Sequence, residues 1–123
     1  ATGPAKPGAW QPLDRARIDA LVNQGQTVFV DVTAEWCITC QVNKVNVIRA
    51  DAVQDRLRAD GVTRMRGDWT SRSDRIADYL AANGRYGIPF NAVYGPKAPD
   101  GIVLPELLTQ GAVLDAIEKA GRG

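Results

Sequence analysis

The chain has 123 residues, a formal net charge of +1, 24% charged residues and 45% hydrophobic residues. This length suits one domain with a single core, and a charge near zero excludes a strong field that would steer nucleic acid or an anionic membrane toward it. No apolar run approaches the ~20 residues of a membrane-spanning helix, so we expect no insertion of this domain into a membrane. The chain contains no histidine, which excludes Cys-His and Ser-His-Asp catalysis and removes the usual zinc ligands.

The N-terminal stretch, residues 1–12, carries three prolines and two glycines. This composition predicts a linker or a loosely docked arm, in which only Trp10 is suited to pack on the domain. The chain opens on Ala1 with no visible signal peptide, so we expect a mature or excised piece, such as one domain of a longer protein. Residues 13–123 are assigned to the domain itself.

Apolar residues at helical spacing predict four helices, and short apolar runs bounded by Gly and Pro predict four strands. The helices cover 13–23, 37–60, 73–82 and 109–120, and the strands cover 27–33, 62–69, 90–94 and 102–104. Asp51 is the expected N-cap of a second segment, 52–59, of the long helix. Alternation of strand and helix predicts parallel pairing at first, and the final two strands predict an antiparallel hairpin. The fold class is α/β, with a mixed four-stranded central sheet flanked by helices on both faces.

Cys37 and Cys40 are the only cysteines, and they stand between a predicted buried strand and the start of a helix. A loop this short constrains the unfolded chain very little, so a disulfide here indicates redox chemistry rather than stabilisation. Unpaired N–H groups and the helix dipole favour a thiolate at Cys37, the attacking species in disulfide exchange. Cys40, one turn later on the same face, can then release the partner. The alternatives are half of a metal site or two buried core thiols.

Asp31 stands in an otherwise apolar strand, six residues before Cys37. A charge there is costly unless it is paired or functional. One interpretation is a buried carboxyl of raised pKa that accepts and returns the proton of Cys40. The other is a carboxylate that points to solvent at the strand end or pairs with a lysine. Pro89 introduces the third strand, and the general preference of X–Pro bonds predicts a trans peptide there.

Three segments together resemble the thioredoxin superfamily: DVTAEWCITC at 31–40, Asp68-Trp69-Thr70, and residues 84–94. They resemble more narrowly the C-terminal periplasmic domain of DsbD-type thiol:disulfide interchange proteins, and closer still the ScsB-type relatives linked to copper tolerance. The resemblance spans roughly residues 13–120. It implies a thioredoxin-like fold and a periplasmic protein-disulfide reductase, a soluble domain of an inner-membrane protein. Electrons would arrive from a membrane-embedded dithiol of the same protein and leave to an N-terminal partner domain or a periplasmic client.

The resemblance also implies roles for single residues, with no cofactor other than the redox-active disulfide. Cys37 matches the exposed nucleophile, Cys40 the resolving thiol and Asp31 the buried acid beneath them. Pro89 matches a cis-proline that faces the dithiol. Ile88 matches the residue whose backbone pairs with an incoming partner segment.

Two positions depart from the family pattern. Thr39 stands where thioredoxin has proline, and Lys44 stands where DsbD-type domains tend to carry a second acidic residue. Lys44 would instead favour a thiolate, provided that it reaches the dithiol. The Ile38-Thr39 spacer is uncharged and lacks the histidine of strongly oxidising motifs. We therefore expect a reduction potential nearer to thioredoxin's roughly −270 mV than to DsbA's roughly −120 mV.

Trp36 and Tyr86 are candidates for a rim around the dithiol that docks a partner, and Trp69 is a weaker one. The alternatives are ordinary packing for the tryptophans and a solvated surface position for Tyr86. A second function class is a copper(I)- or zinc-binding module, because copper(I) accepts two thiolates. No methionine lies near the cysteines in the sequence, the sole one being Met65, and no metal ligand is assigned. A third interpretation is an inert adaptor whose dithiol is vestigial.

Overall fold

The computed structural model describes residues 9–121, which form a mixed sheet of five strands with helices on both faces. The strands are β1 (Trp10–Pro12), β2 (Thr27–Thr33), β3 (Val62–Asp68), β4 (Phe90–Gly95) and β5 (Ala98–Val103). The helices are α1 (Arg15–Asn23), α2 (Ile38–Asn43), α3 (Asp51–Leu57), α4 (Asp74–Ala82) and α5 (Gln110–Gly121). The strand order is β1-β3-β2-β4-β5. The first three of these strands run parallel, and β4 runs antiparallel to both β2 and β5.

The sheet has one strand more than the sequence predicts, because Trp10–Pro12 form the edge strand β1. This strand pairs in parallel with β3 and places Trp10 opposite Arg64. An edge strand tolerates proline, since its outer side has no ladder hydrogen bond to make. The Trp10 ring packs edge-on against Phe29, with ring centroids 6.1 Å apart. Residues 1–8 of the predicted arm lie outside the described residues.

Side-chain caps fix where two helices begin. The Asp14 carboxylate accepts hydrogen bonds of 3.1 and 3.3 Å from backbone N–H groups in the first turn of α1. The Ser73 hydroxyl accepts one from the N–H of Ile76 in α4, and a cap of this kind contributes roughly 1 kcal/mol. The prediction for Asp51 is wrong by one position, because Ala50 holds the N-cap and Asp51 is the first residue of α3. Its carboxylate still lies where the helix dipole favours it.

The long helix predicted over 37–60 is interrupted by a π-helical segment, Lys44–Ile48, between α2 and α3. The N–H of Arg49 donates to the carbonyl of Lys44, five residues back, at 2.9 Å. Such wider turns occur frequently at functional sites. Just before the segment, the buried Asn43 amide donates to the Glu106 carbonyl at 2.7 Å and accepts from the Leu108 N–H at 2.9 Å. These bonds tie the end of α2 to the loop that precedes α5.

Strand β2 is buried along its whole length. Its even-numbered valines pack in the core formed with α1 and α4, whereas Phe29 packs in the core formed with the π segment, α3 and α5. Because successive strand residues point to opposite faces, Asp31 and Thr33 lie on the Phe29 face. Within the described residues, no helix is both long enough and apolar enough to cross a membrane.

Candidate active site

Cys37 and Cys40 form a disulfide at the start of α2. Cys37 is the N-cap residue, and its Sγ accepts a hydrogen bond of 3.2 Å from the backbone N–H of Cys40. A donor aimed at this sulfur favours its thiolate once the disulfide is reduced. Cys37 is 7% exposed and Cys40 is 2% exposed, so Cys37 is the more accessible of the two. Within residues 9–121, no cluster of three or more cysteine, histidine or carboxylate side chains is placed to hold a metal ion.

Hydrogen bonds hold the turn that joins β2 to α2. The N–H of Cys37 and the side-chain amide of Gln41 both donate to the carbonyl of Ala34, at 3.2 and 2.9 Å. The N–H of Glu35 donates to the hydroxyl of Thr70 at 2.9 Å. The dithiol is therefore fixed both to the end of β2 and to the segment that follows β3.

Asp31 is 3% exposed and lies between two polar neighbours in the sheet. The strand register places it opposite Arg66 of β3 and opposite Asn91 of β4. The Nε of Arg66 donates to Oδ2 of Asp31 at 3.2 Å, and Nη2 of the same guanidinium lies 3.2 Å from that oxygen. The Asn91 amide donates to Oδ1 at 2.9 Å. A solvent-facing carboxylate is therefore excluded, and the cation in contact with Asp31 is an arginine rather than a lysine.

Opposing influences act on the pKa of Asp31. Burial raises it above the ordinary value, because the charged form loses its hydration. The positive charge of Arg66, the hydrogen bond from Asn91 and the positive charge of Lys44 lower it, without cancelling the effect of burial. A carboxyl with a raised pKa is better matched to exchange a proton with a thiol than an ordinary aspartate is.

Lys44 follows the dithiol helix directly, and its charge acts on the buried acid Asp31. Its backbone N–H donates to the carbonyl of Cys40, so the two residues lie one turn apart. Partial burial and the charge of Arg66 lower the pKa of Lys44, whereas the carboxylates of Asp31 and Asp68 raise it. The lysine that departs from the family pattern thus lies within electrostatic range of two carboxylates.

The Ile88–Pro89 peptide bond is cis, as the resemblance implies and against the general preference of X–Pro bonds. Pro89 is buried, and Ile88 packs with Trp69 against the two cysteines. Within the described part of the chain, neither backbone group of Ile88 has a hydrogen-bond partner. A backbone donor and a backbone acceptor are thus open beside the dithiol.

A groove of about 550 Å³ runs beside the dithiol between Trp36 and the 86–88 loop. Trp36 is 61% exposed, which argues against ordinary core packing for this ring, and Tyr86 is 83% exposed, which fits both a docking rim and a solvated surface position. The indole N–H of Trp36 donates to the carbonyl of Trp69 at 3.3 Å, which fixes the ring at the groove edge. Exposed aromatic side chains around a groove are typical of a surface that a partner covers. Trp69 is half-buried and serves both as packing and as groove wall.

Sequence reasoning did not single out Arg66 and Asn91, the two side chains that contact Asp31. The alternation of Arg64 and Arg66 in a predicted strand was the only signal for the first. Asn91 follows the cis-proline by two residues, and its amide gives no signal in the sequence. Both contacts depend on the strand register, which a single sequence does not reveal.

Comparison with known proteins agrees with this geometry. A family model for thioredoxin-like proteins matches residues 9–96. The Pseudomonas aeruginosa protein "Thiol:disulfide interchange protein DsbD 1" is 39% identical over 98 residues, which are 76% of this chain and 16% of that protein. The chain thus spans about a sixth of the length of that relative.

Solved structures show the same fold. The C-terminal domain of Neisseria meningitidis DsbD matches in its oxidised form with a TM-score of 0.67 at 18% identity, covering 91% of this chain and 99% of that one. Its reduced form matches with a TM-score of 0.65 at 19% identity, covering 86% and 92%. A thioredoxin from Thermus thermophilus matches with a TM-score of 0.66 at 19% identity, covering 89% of this chain and 84% of that one.

The fold and the Cys-x-x-Cys disulfide at the start of its helix define a thiol-disulfide oxidoreductase. The chain belongs to the thioredoxin-like family.

Proposed function

We propose that this chain is the periplasmic reductase domain of a larger thiol:disulfide interchange protein, of which an inner-membrane part supplies the electrons. The donor is a membrane-embedded dithiol of the same protein, and the acceptor is an N-terminal partner domain or a periplasmic client. The identity to a DsbD protein over 76% of the chain supports this assignment. The observation that carries the chemistry is the Cys37–Cys40 disulfide at the start of α2, the helix that follows the strand of the buried Asp31.

The first step is attack on the acceptor. In the reduced domain, the Cys37 thiolate attacks one sulfur of the acceptor disulfide and forms a mixed disulfide, and the other acceptor sulfur leaves as a thiolate. The N–H of Cys40, aimed at Cys37 Sγ, stabilises the attacking thiolate. The lower burial of Cys37 favours it over Cys40 as the attacking sulfur.

The second step releases the acceptor. Cys40 loses its proton to the Asp31 carboxylate, and the resulting thiolate attacks Cys37 Sγ. The bond between Cys37 and the acceptor breaks, and the second acceptor sulfur leaves as a thiolate. Two electrons have then passed to the acceptor, and the Cys37–Cys40 disulfide is restored. The raised pKa of Asp31 supports its role as the proton acceptor.

Partner docking uses the groove beside the dithiol. The open backbone groups of Ile88 offer strand-like pairing to an extended segment of the acceptor, next to the cis bond to Pro89. The exposed rings of Trp36 and Tyr86 flank this position and supply apolar contact area. The domain needs no cofactor besides its own dithiol for either step.

Trapping with a Cys40→Ser variant tests this proposal. The variant can form the mixed disulfide but cannot resolve it, so adducts with the acceptor should accumulate in periplasmic extract and disappear on reduction with dithiothreitol. The matched control is Cys37→Ser, which lacks the attacking sulfur and should trap little. Equal trapping by the two variants would contradict the assignment of roles. Absence of any disulfide-linked acceptor protein from the Cys40→Ser adducts would contradict the proposed transfer to a periplasmic acceptor.

A further inference from the structure

Trp10 connects the N-terminal strand with the surroundings of the buried acid. The guanidinium carbon of Arg66 lies 3.9 Å from the centroid of the Trp10 ring, within the range of a cation–π attraction. The guanidinium of Arg64 lies 5.1 Å from the same ring, and Phe29 meets the ring edge-on. The ring therefore touches the cation that pairs with Asp31.

The backbone register produces this arrangement. Two neighbouring rows run across the three parallel strands, Trp10–Arg64–Phe29 and Pro12–Arg66–Asp31. Side chains in such rows share one face of the sheet. The Arg66 side chain thus reaches the Asp31 carboxylate within its own row and the Trp10 ring in the neighbouring row.

Arg66 lies within electrostatic range of two other cations, Lys44 and Arg64. Partial burial and the charge of Arg66 lower the pKa of Lys44, and burial and neighbouring arginines lower the pKa of Arg64. The Arg66 side chain is 28% exposed, so orientations toward water are open to it. The other charged groups that act on these cations are Arg49, Arg58 and Asp68.

We propose that Trp10 is a positioning residue for the thiol-disulfide reaction, because its ring holds the Arg66 guanidinium against the Asp31 carboxylate. The inference rests on the proton-accepting role proposed above for Asp31. The edge strand β1 is then part of the redox machinery, although the residues that react belong to other strands and to α2.

The rate at which Cys40 resolves the Cys37 mixed disulfide should therefore depend on Trp10 and on pH. The charge of Arg66 lowers the pKa of Asp31, in opposition to burial. Without the ring, Arg66 spends less time at the carboxylate, and burial then raises the pKa of Asp31 further. The carboxylate form that accepts the Cys40 proton appears at higher pH, so the rising limb of the pH–rate profile moves to higher pH.

The experiment follows the reduced protein as it reacts with oxidised glutathione. Acid quenching and mass spectrometry give the rate at which the Cys37–glutathione mixed disulfide is resolved, as a function of pH. For Trp10→Leu we expect resolution on the rising limb to slow by about threefold, equivalent to a shift of about half a pH unit. Trp10→Phe keeps an aromatic face and should recover most of the rate. Gln11→Ala, in the same strand but on the opposite face, should match the wild type.

The outcomes separate this inference from the role of Asp31. If Asp31→Asn loses the rising limb but Trp10→Leu matches the wild type, the inference is overturned and the role of Asp31 stands. If Asp31→Asn leaves the profile unchanged, the role of Asp31 fails, and the inference with it.

A second measurement needs no Trp10 variant and remains decisive if Trp10→Leu does not fold. In the reduced wild-type protein, the indole N–H resonance of Trp10 should shift with pH as Asp31 titrates. This shift should vanish in Asp31→Asn. A Trp10 resonance that titrates identically in both proteins, or in neither, would overturn the inference.

Discussion

Asp31 and Arg66 lie directly opposite each other in the parallel pair β2–β3, and two nitrogens of the guanidinium lie 3.2 Å from one carboxylate oxygen. The carboxylate is almost fully buried, whereas the arginine side chain keeps 28% of its surface exposed. The cation therefore loses only part of its hydration while it neutralises a charge that has lost nearly all of its own. This pairing allows an acid to persist inside the sheet, in the strand that leads to the dithiol helix.

Removal of the cation should destabilise the fold. For Arg66→Met we expect the free energy of unfolding at neutral pH to fall by about 2–3 kcal/mol, less than for a fully buried pair, because Arg66 is partly solvated. Urea unfolding followed by circular dichroism measures this. The double variant Arg66→Met/Asp31→Asn should regain part of the loss, since no unpaired carboxylate remains. Strictly additive effects of the two substitutions would contradict a direct pairing.

The stability should also depend on pH through Asp31. Burial raises the pKa of Asp31 in the folded state above the ordinary value of 3.8. The unfolded state has the ordinary pKa, and the folded state has the raised one. Between these two pKa values the folded state binds more protons than the unfolded state, so the free energy of unfolding falls as the pH rises. Wild-type protein should therefore lose stability relative to Asp31→Asn from about pH 4 upward, until the folded pKa is passed. If the wild-type protein instead gained stability relative to Asp31→Asn as the pH rose, the pKa of Asp31 would be lowered in the folded state, and the prediction would be wrong.

The sequence predicted the local parts of the site and missed the parts that depend on pairing between strands. The attacking role proposed for Cys37 follows from its place at a helix start, and Asp31 is conspicuous as a charge in an apolar run. The contacts of Asp31 with Arg66 and Asn91 require the strand register, which no pattern within one segment reveals.

Two other differences have separate causes. The strand Trp10–Pro12 is too short to show an alternating pattern, and the residues around it are rich in proline and glycine. The Trp10 ring nevertheless packs against Phe29 and the two arginines of β3. The π segment, Lys44–Ile48, has apolar residues at spacings that also fit an α-helix. Contacts with other parts of the fold determine both features, so local sequence propensity does not predict them.

A glycine in β4 should be essential for the docking of α5. A Cβ on Gly95 would overlap the backbone carbonyl of Ala120, so the helix would have to move. Gly95→Ala should lower the free energy of unfolding by about 1–3 kcal/mol. The matched control is Gly111→Ala in α5, where a Cβ meets no atom within 4 Å and should raise stability by about 0.5–1 kcal/mol. Thermal unfolding compares the two, and equal effects would show that α5 accommodates the extra methyl group.

Tyr86 should matter for protein acceptors and not for small disulfides. For Tyr86→Ala we expect kcat/KM for insulin to fall about fivefold, equivalent to about 1 kcal/mol. The rate with hydroxyethyl disulfide, which has no peptide to dock, should change little. Stability should not change either, because the side chain is 83% exposed. Val103→Ala, at an exposed position of β5 outside the groove, is the control. A parallel loss with both disulfides would place Tyr86 in the chemistry rather than in docking.

The direction of electron flow is tested most directly by the reduction potential of the Cys37–Cys40 couple. Equilibration with defined ratios of reduced and oxidised glutathione or dithiothreitol, followed by acid trapping and mass spectrometry, gives the fraction oxidised. The uncharged Ile38-Thr39 spacer predicts a value near thioredoxin's roughly −270 mV, which suits a domain that reduces others. A value above about −150 mV, close to that of DsbA, would make the domain an oxidant and contradict the proposed function.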